Sequence, residues 1–152
     1  MDSILKDIPD NVIREEYVQR FALKPGMRLA SPQTAVDHLR TVFDKLEKDK
    51  EFFVVMILNA QNELIITDTL FTGTLTSSAV YPRELVKRVL EVHGAAIICS
   101  HCHPSGCLTP SASDRSVTKK LKTALESIDV ELLDHIILGG TDSYSFSDQG
   151  LL

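Results

Sequence analysis

One short stretch of the chain gathers side chains that can bind a metal ion. His101 and His103 are one residue apart, and the carboxylate of Asp114 follows eleven residues after the second histidine. The apolar run 95–99 predicts a buried strand, and side chains alternate along a strand, so both imidazoles are expected on one face. The prolines and glycine that follow predict a loop, after which the chain doubles back. Two imidazoles and one carboxylate suit zinc and leave a fourth position for water.

The same residues also have simpler interpretations. Histidines one residue apart at the end of a strand are common without a metal. Ser111 and Asp114 form the pattern of a capping box, in which Ser111 is the N-cap of the next helix. A cap and a ligand can share one turn, so both roles stay open. The metal interpretation rests on the complete string: His-x-His-Pro, six residues, then Ser-x-x-Asp.

That string resembles the JAMM signature of the JAB/MPN metalloprotease family. The wording His-Cys-His-Pro-Ser-Gly over 101–106, followed by Thr-Pro-Ser over 109–111, is similar to the bacterial RadC branch of the family. The resemblance extends to 81–84 before the motif and to 133–137 after it, and covers roughly residues 25–150. It implies one α/β domain, a mixed β-sheet flanked by helices, with the cytidine-deaminase-like architecture.

The resemblance also implies a site and an activity. His101, His103 and Asp114 are the implied Zn²⁺ ligands. In JAMM proteins a glutamate at the head of the strand after the first helix holds the catalytic water, and Glu51 occupies that position. Ser111 is the implied hydrogen-bond donor to the oxyanion. The implied function is a zinc-dependent metallopeptidase or isopeptidase, in which a metal-bound water attacks the amide of a peptide or protein substrate and Glu51 is the general base.

Two other carboxylates compete for the role of the base. Glu63 belongs to a predicted hairpin turn. Glu84 lies in the first turn of a predicted helix, where a negative charge complements the helix dipole. Neither position needs a catalytic explanation.

Two cysteines in the motif depart from the usual wording of the branch. Cys102 replaces a residue that is commonly Asn, and Cys107 one that is commonly acidic or polar. Cys102 is expected to be buried on the face opposite the histidines, and Cys107 to be exposed in the loop. A structural zinc site built from Cys99, Cys102, Cys107 and the histidines is disfavoured, because Cys102 points away and such sites usually pair their cysteines.

The remaining histidines have ordinary interpretations. His38 is expected at the surface or boundary of a helix, and His93 near a helix C-terminus as a cap. His135 lies in a predicted strand as a satisfied core or edge residue, and its loss is expected to leave the metal content unchanged.

Predicted helices and strands are interleaved along the chain, which indicates an α/β fold around one sheet. Residues 1–24 are expected to be an N-terminal helical extension that packs on the domain or serves as a homodimer arm, and 25–152 the domain itself. The predicted helices begin at Ser31–Pro32, Pro82 and Ser111, and the predicted strands are 51–58, 63–71, 95–99, 130–138 and 144–146. The Gly-, Ser- and Thr-rich segment 72–78 is predicted to be a loop or edge that lines a substrate groove.

Composition narrows the class of protein. The chain has 152 residues, 43% of them hydrophobic, which suits one domain with a real core. Because it shows neither a transmembrane run nor a signal peptide, and has three cysteines, we expect a soluble cytoplasmic protein without membrane partners. A net charge of −5 disfavours nucleic acid as a partner. A DNA-repair-associated nucleic-acid-binding module and a non-catalytic MPN scaffold are the alternatives.

Overall fold

The computed structural model describes residues 5–73 and 80–152. Its helices are α1 (Asp10–Phe21), α2 (Pro32–Asp44), α3 (Pro82–Glu91) and α4 (Ala112–Glu126). Its strands are β1 (Phe52–Leu58), β2 (Leu64–Thr72), β3 (Ala96–Cys102), β4 (Glu131–Gly139) and β5 (Asp142–Ser145). The interleaved order confirms the predicted α/β class.

The five strands in the described part of the chain form one mixed sheet, in the order β2-β1-β3-β4-β5. β1 pairs antiparallel with both β2 and β3, β3 and β4 are parallel, and β5 pairs antiparallel with β4. The central strand β3 therefore has neighbours on both sides, and its C-terminal end carries the histidine motif.

Both faces of the sheet are covered. Alternate side chains of β1 fall into two separate cores, one that includes Phe53, Val55 and Ile57 and one that includes Val54 and Met56. The first core packs against α3 and α4, and the second against α2. This arrangement explains why β1 is apolar throughout.

Helix α2 begins as predicted, with Ser31 at the N-cap accepting a hydrogen bond from the amide of Thr34. The expectation for His38 in the same helix was wrong, because only 5% of this residue is exposed. Its Nδ1 accepts from the amide of Leu23 at 2.8 Å, and its Nε2 lies 2.8 Å from the hydroxyl of Thr67. Two hydrogen-bond partners make burial of the ring tolerable, and the sequence does not reveal either of them.

The predicted N-terminal extension contains α1, which contacts α2 through a largely exposed ion pair between Arg14 and Asp44 at 3.1 Å. The predicted groove segment, 72–78, lies outside the described residues from residue 74 onward. Within the described ranges, none of the helices has both the length and the apolar character needed to span a bilayer.

Candidate metal centre

Strand β3 carries His101 into the centre of the molecule. The strand is longer than predicted, since it continues to Cys102, and His101 lies between Phe53 of β1 and Ile137 of β4 in the sheet. The residue is fully buried. A central strand thus fixes the first imidazole rigidly.

His103 lies just beyond the strand, where the loop turns. Its backbone amide donates to the carbonyl of Leu138 at 3.2 Å, which continues the pairing with β4 by one step. Its Nδ1 lies 2.6 Å from the carbonyl oxygen of Cys107. A carbonyl can only accept, so Nδ1 carries the proton and a neutral His103 has its lone pair on Nε2.

Asp114 is brought back to the histidines by the start of α4. The Oγ atom of Ser111 accepts from the amide of Asp114 at 3.0 Å, and Oδ2 of Asp114 accepts from the amide of Ser111 at 2.8 Å. This is the capping box that the sequence predicts. The cap holds the carboxylate in one orientation, so that a second role for Asp114 is compatible with the first.

The three side chains converge. His101 Nε2 and His103 Nε2 are 2.8 Å apart. Asp114 Oδ1 lies 3.1 Å from His101 Nε2, and Asp114 Oδ2 lies 3.2 Å from His103 Nε2. Atoms bonded at about 2 Å to a tetrahedral ion lie about 3.3 Å from one another. Donor type and spacing therefore fit a small divalent cation, and these residues form a candidate metal-binding triad.

The surroundings of Asp114 also favour the charged form of its carboxylate. Burial alone would raise the pKa of Asp114, but the hydrogen bond and the charge of His101, the amide of Ser111 and the charge of His103 together hold that pKa well below its ordinary value. An ionised carboxylate is the form that binds a cation.

The cysteines are arranged as the sequence predicts, apart from the depth of Cys102. Cys102 is half-buried and packs against the α2-side core, whereas Cys107 is exposed. Cys99 is buried. Among the described residues, the group able to hold a metal contains the two histidines and Asp114 without a cysteine.

Glu51 is partly exposed and immediately precedes β1. The amide of Gly73 donates to its backbone carbonyl at 2.8 Å, which ties it to the end of β2. Ser111 is exposed at the N-cap of α4, next to the triad. The catalytic roles expected for Glu51 and Ser111 stay predictions.

Sequence reasoning gave no functional role to two buried residues behind the triad. His135 Nε2 lies 2.8 Å from His101 Nδ1, and Thr118 Oγ1 lies 2.5 Å from His135 Nδ1. A register shift between β3 and β4 leaves Leu133 unpaired. This bulge moves His135 onto the face of His101, and nothing in the residue pattern announces a bulge.

The sequence of this chain is similar to those of known proteins. A family model described as "RadC-like JAB domain" matches residues 29–151. "UPF0758 protein YfjY" of Escherichia coli (strain K12) is 42% identical over 135 residues, which are 89% of this chain and 83% of that protein. A "UPF0758 protein" of Leptothrix cholodnii is 45% identical over 91% of this chain and 61% of its own length.

A third relative, a "UPF0758 protein" of Thiobacillus denitrificans, is 45% identical over 86% of this chain and 57% of its own length. The chain thus spans about three fifths of these two longer relatives. The names of these relatives state no activity, so they indicate kinship without indicating a reaction.

Proposed function

The chain belongs to the RadC-like JAB domain family, and we propose that it is a zinc-dependent hydrolase of amide bonds in peptides or isopeptide-linked proteins. The family includes hydrolases, as the resemblance implies. The observation that carries the proposal is the convergence of His101, His103 and Asp114 within hydrogen-bond distances of one another. A non-catalytic scaffold would have no need of this complete ligand set.

The three ligands would hold Zn²⁺ and leave a fourth position open. Zinc supplies a Lewis acid for the substrate carbonyl and lowers the pKa of a water molecule from about 16 toward 7. The chain contributes the rigidity of the site, because His101 is anchored in a central strand and Asp114 is held by a cap. His101 and Asp114 are almost fully buried, while His103 is on the solvent side. Substrate would therefore approach from the side of His103.

Glu51 is the proposed general base. Phe53 pairs with His101, and side chains two residues apart on a strand share a face. If the antiparallel register continued for two residues beyond this last pair, Glu51 would lie opposite His103. From this position the carboxylate would accept a proton from the attacking water and later deliver it to the leaving amine.

Ser111 is the proposed donor to the oxyanion. Its Oγ accepts from the amide of Asp114, which uses a lone pair and leaves the hydroxyl proton for another partner. One such donor is worth about 3 kcal/mol of transition-state stabilisation.

The substrate would dock as an extended strand. β2 is at the edge of the sheet, and Phe71 near its end pairs with Phe53, which in turn pairs with His101. A peptide that adds to this edge would run toward the metal end of the sheet, with backbone hydrogen bonds supplying affinity.

The test combines metal analysis with a substrate panel. Protein purified without chelator under zinc-replete conditions should contain about one zinc per chain, and His101→Ala and His103→Ala should lose it. His93→Asn is the control, because His93 lies outside the triad and Asn tolerates its positive φ of 58°. Cleavage of at least one member of a panel of peptide and isopeptide substrates should disappear with chelator and return with zinc. Absence of any transition metal would refute the proposal.

A further inference from the structure

Two buried polar side chains, Thr118 and His135, lie behind His101 and take no part in the proposed hydrolysis. Thr118 is 2% exposed and His135 is 0% exposed. Together they link one candidate ligand to another: His101 Nδ1 to His135 Nε2 at 2.8 Å, His135 Nδ1 to Thr118 Oγ1 at 2.5 Å, and Thr118 Oγ1 to the backbone carbonyl of Asp114 at 2.7 Å.

The direction of this chain of hydrogen bonds follows from its last member. The carbonyl of Asp114 can only accept, so the hydroxyl of Thr118 donates its single proton there. This is the usual bond from a helical threonine to the carbonyl four residues earlier. Thr118 Oγ1 must therefore accept from His135, which places the proton of His135 on Nδ1.

The position of the proton on His135 decides which tautomer His101 adopts. A neutral His135 has one N–H, so its Nε2 carries a lone pair and accepts from Nδ1–H of His101. A neutral His101 then has its lone pair on Nε2, the atom that faces His103 and Asp114. His135 is completely buried, and burial disfavours a charged ring.

We propose that Thr118 and His135 are positioning residues that fix His101 in the tautomer whose Nε2 can bind the metal. The hydrogen bond made by one ring nitrogen sets which state the other adopts. This proposal rests on the metal site of the proposed function. It replaces the expectation that the loss of His135 leaves metal binding unchanged.

The surroundings of His135 hold its ring in place. Phe146 stacks on it with ring centroids 4.6 Å apart and an angle of 19° between the planes, and Phe53 meets it edge-on at 5.7 Å. The bulge at Leu133 is what aims the ring at His101, because unbroken alternation from Leu132 would put His135 on the α2 side. The bulge in the backbone and the packing of the two phenylalanine rings therefore both hold His135 in the orientation that faces His101.

The first arm of the test needs no substitution. Long-range ¹H–¹⁵N correlation spectra of the metal-free full chain, labelled at histidine and recorded near pH 7.5, report which nitrogen of each ring is protonated. We expect Nδ1–H for both His101 and His135. An Nε2–H tautomer at either residue would overturn the proposal, whatever the variants do.

The second arm uses Thr118→Val, which keeps the branched shape and removes the acceptor for His135. The proton of His135 is then expected to shift to Nε2 of that ring, which donates to Nδ1 of His101. The proton of His101 would therefore shift to its own Nε2, which is the ligand atom. Zinc affinity, measured by competition with a chromophoric chelator, should fall about 10- to 100-fold. Thr118→Ser keeps the hydroxyl, so this variant should have the tautomers and the zinc affinity of the parent chain.

Thr123→Val is the matched control. Its hydroxyl makes the same kind of bond, to the carbonyl of Lys119 on the same helix. This hydroxyl is exposed, however, and does not belong to the chain of hydrogen bonds that links His101 to Asp114. It should leave tautomers and affinity unchanged. If Thr118→Val shifts neither the tautomer nor the affinity, or shifts the tautomer alone, the positioning role is wrong. If the unsubstituted chain has the expected tautomers but binds no zinc, the metal proposal fails and with it the metal-positioning role, although the hydrogen-bond direction stands.

Discussion

The backbone carbonyl of Gly106 lies only 2.7 Å from the point where a Cβ atom at Gly139 would stand. The side chain of Leu108 is 3.0 Å from the same point. Gly139 ends β4, and the motif loop packs directly on it. Because the loop carries the Cys107 carbonyl that orients His103, the absence of a side chain at Gly139 matters to the metal centre.

Gly139→Ala should therefore weaken metal binding. A methyl group at this position must displace backbone, which cannot yield as a flexible side chain can. The displaced loop would carry the Cys107 carbonyl away from His103 Nδ1, and we expect zinc affinity to fall about tenfold or more. Chelator competition measures the affinity.

Gly94→Ala is the control for that substitution. Its Cβ would meet Ile57 at 2.4 Å, a comparable clash with a side chain of the α3/α4-side core. We expect a loss of about 1–3 kcal/mol in the free energy of unfolding with zinc affinity retained. Equal zinc affinity in Gly139→Ala and the parent protein would show that the loop does not need this close approach.

Glu51→Gln should keep the metal and the fold and lose hydrolysis. The amide occupies the same volume but cannot accept a proton from water, and a general base contributes about 10²- to 10⁴-fold to the rate. Activity on any substrate that the parent cleaves, together with zinc content, is the measurement. Glu63→Gln and Glu84→Gln should be nearly silent. A fully active Glu51→Gln variant would place the base elsewhere.

His38 predicts a pH dependence of stability that does not involve the metal centre. Burial, followed by repulsion from Lys45, lowers the pKa of His38 from 6.5 to about 4. The unfolded chain therefore binds this proton at a higher pH than the folded chain does. The contribution to stability is complete above pH 6.5 and is lost as the pH falls from 6.5 toward 4.

The comparison of the parent with His38→Gln isolates this contribution. In urea unfolding of metal-free protein, the parent should lose about 1 kcal/mol more than the variant between pH 7 and pH 5, a value that allows for partial hydration of the ring. His135 titrates in both proteins, so its contribution to the pH dependence of stability cancels in the comparison. The same loss in both proteins would mean that His38 is not responsible.

Local patterns in the sequence predicted the helix starts and the strands, whereas the triad was predicted from the complete string and its resemblance to the JAMM signature. Ser31 with Pro32, and Ser111 with Asp114, are caps whose chemistry is local, and both helices begin where these residues predict. The apolar run of β1 predicts a strand covered on both faces, as observed. Local chemistry is visible in a sequence because the partners are only a few residues apart.

The residues that sequence reasoning missed depend on partners far along the chain. His38 is buried because Leu23 and Thr67 satisfy it, and His135 reaches His101 because a bulge shifts one strand against another. A lone histidine in an apolar stretch has the same pattern whether its partner is water or a buried side chain. Only the packing of the helices and strands against one another distinguishes these two cases.

The three cysteines should differ in reactivity in the order that their burial sets. Cys107 is exposed in the motif loop, whereas Cys102 is half-buried. Burial raises the pKa of Cys102 despite the nearby charges of Lys48 and Arg40. Since the thiolate is the reactive form, limited alkylation followed by peptide mass spectrometry should label Cys107 before Cys102, and Cys99 last.

Modification of Cys107 should also slow hydrolysis, because an adduct at this position stands on the solvent side of His103, where substrate is expected to enter. Cys107→Ser should keep zinc and activity and lose the sensitivity to the alkylating reagent, which separates the effect of the adduct from that of the thiol. Cys102→Ser is the matched substitution and should retain that sensitivity. Labelling of Cys102 first, or full activity after modification of Cys107, would contradict this account of the loop and leave the metal site unaffected.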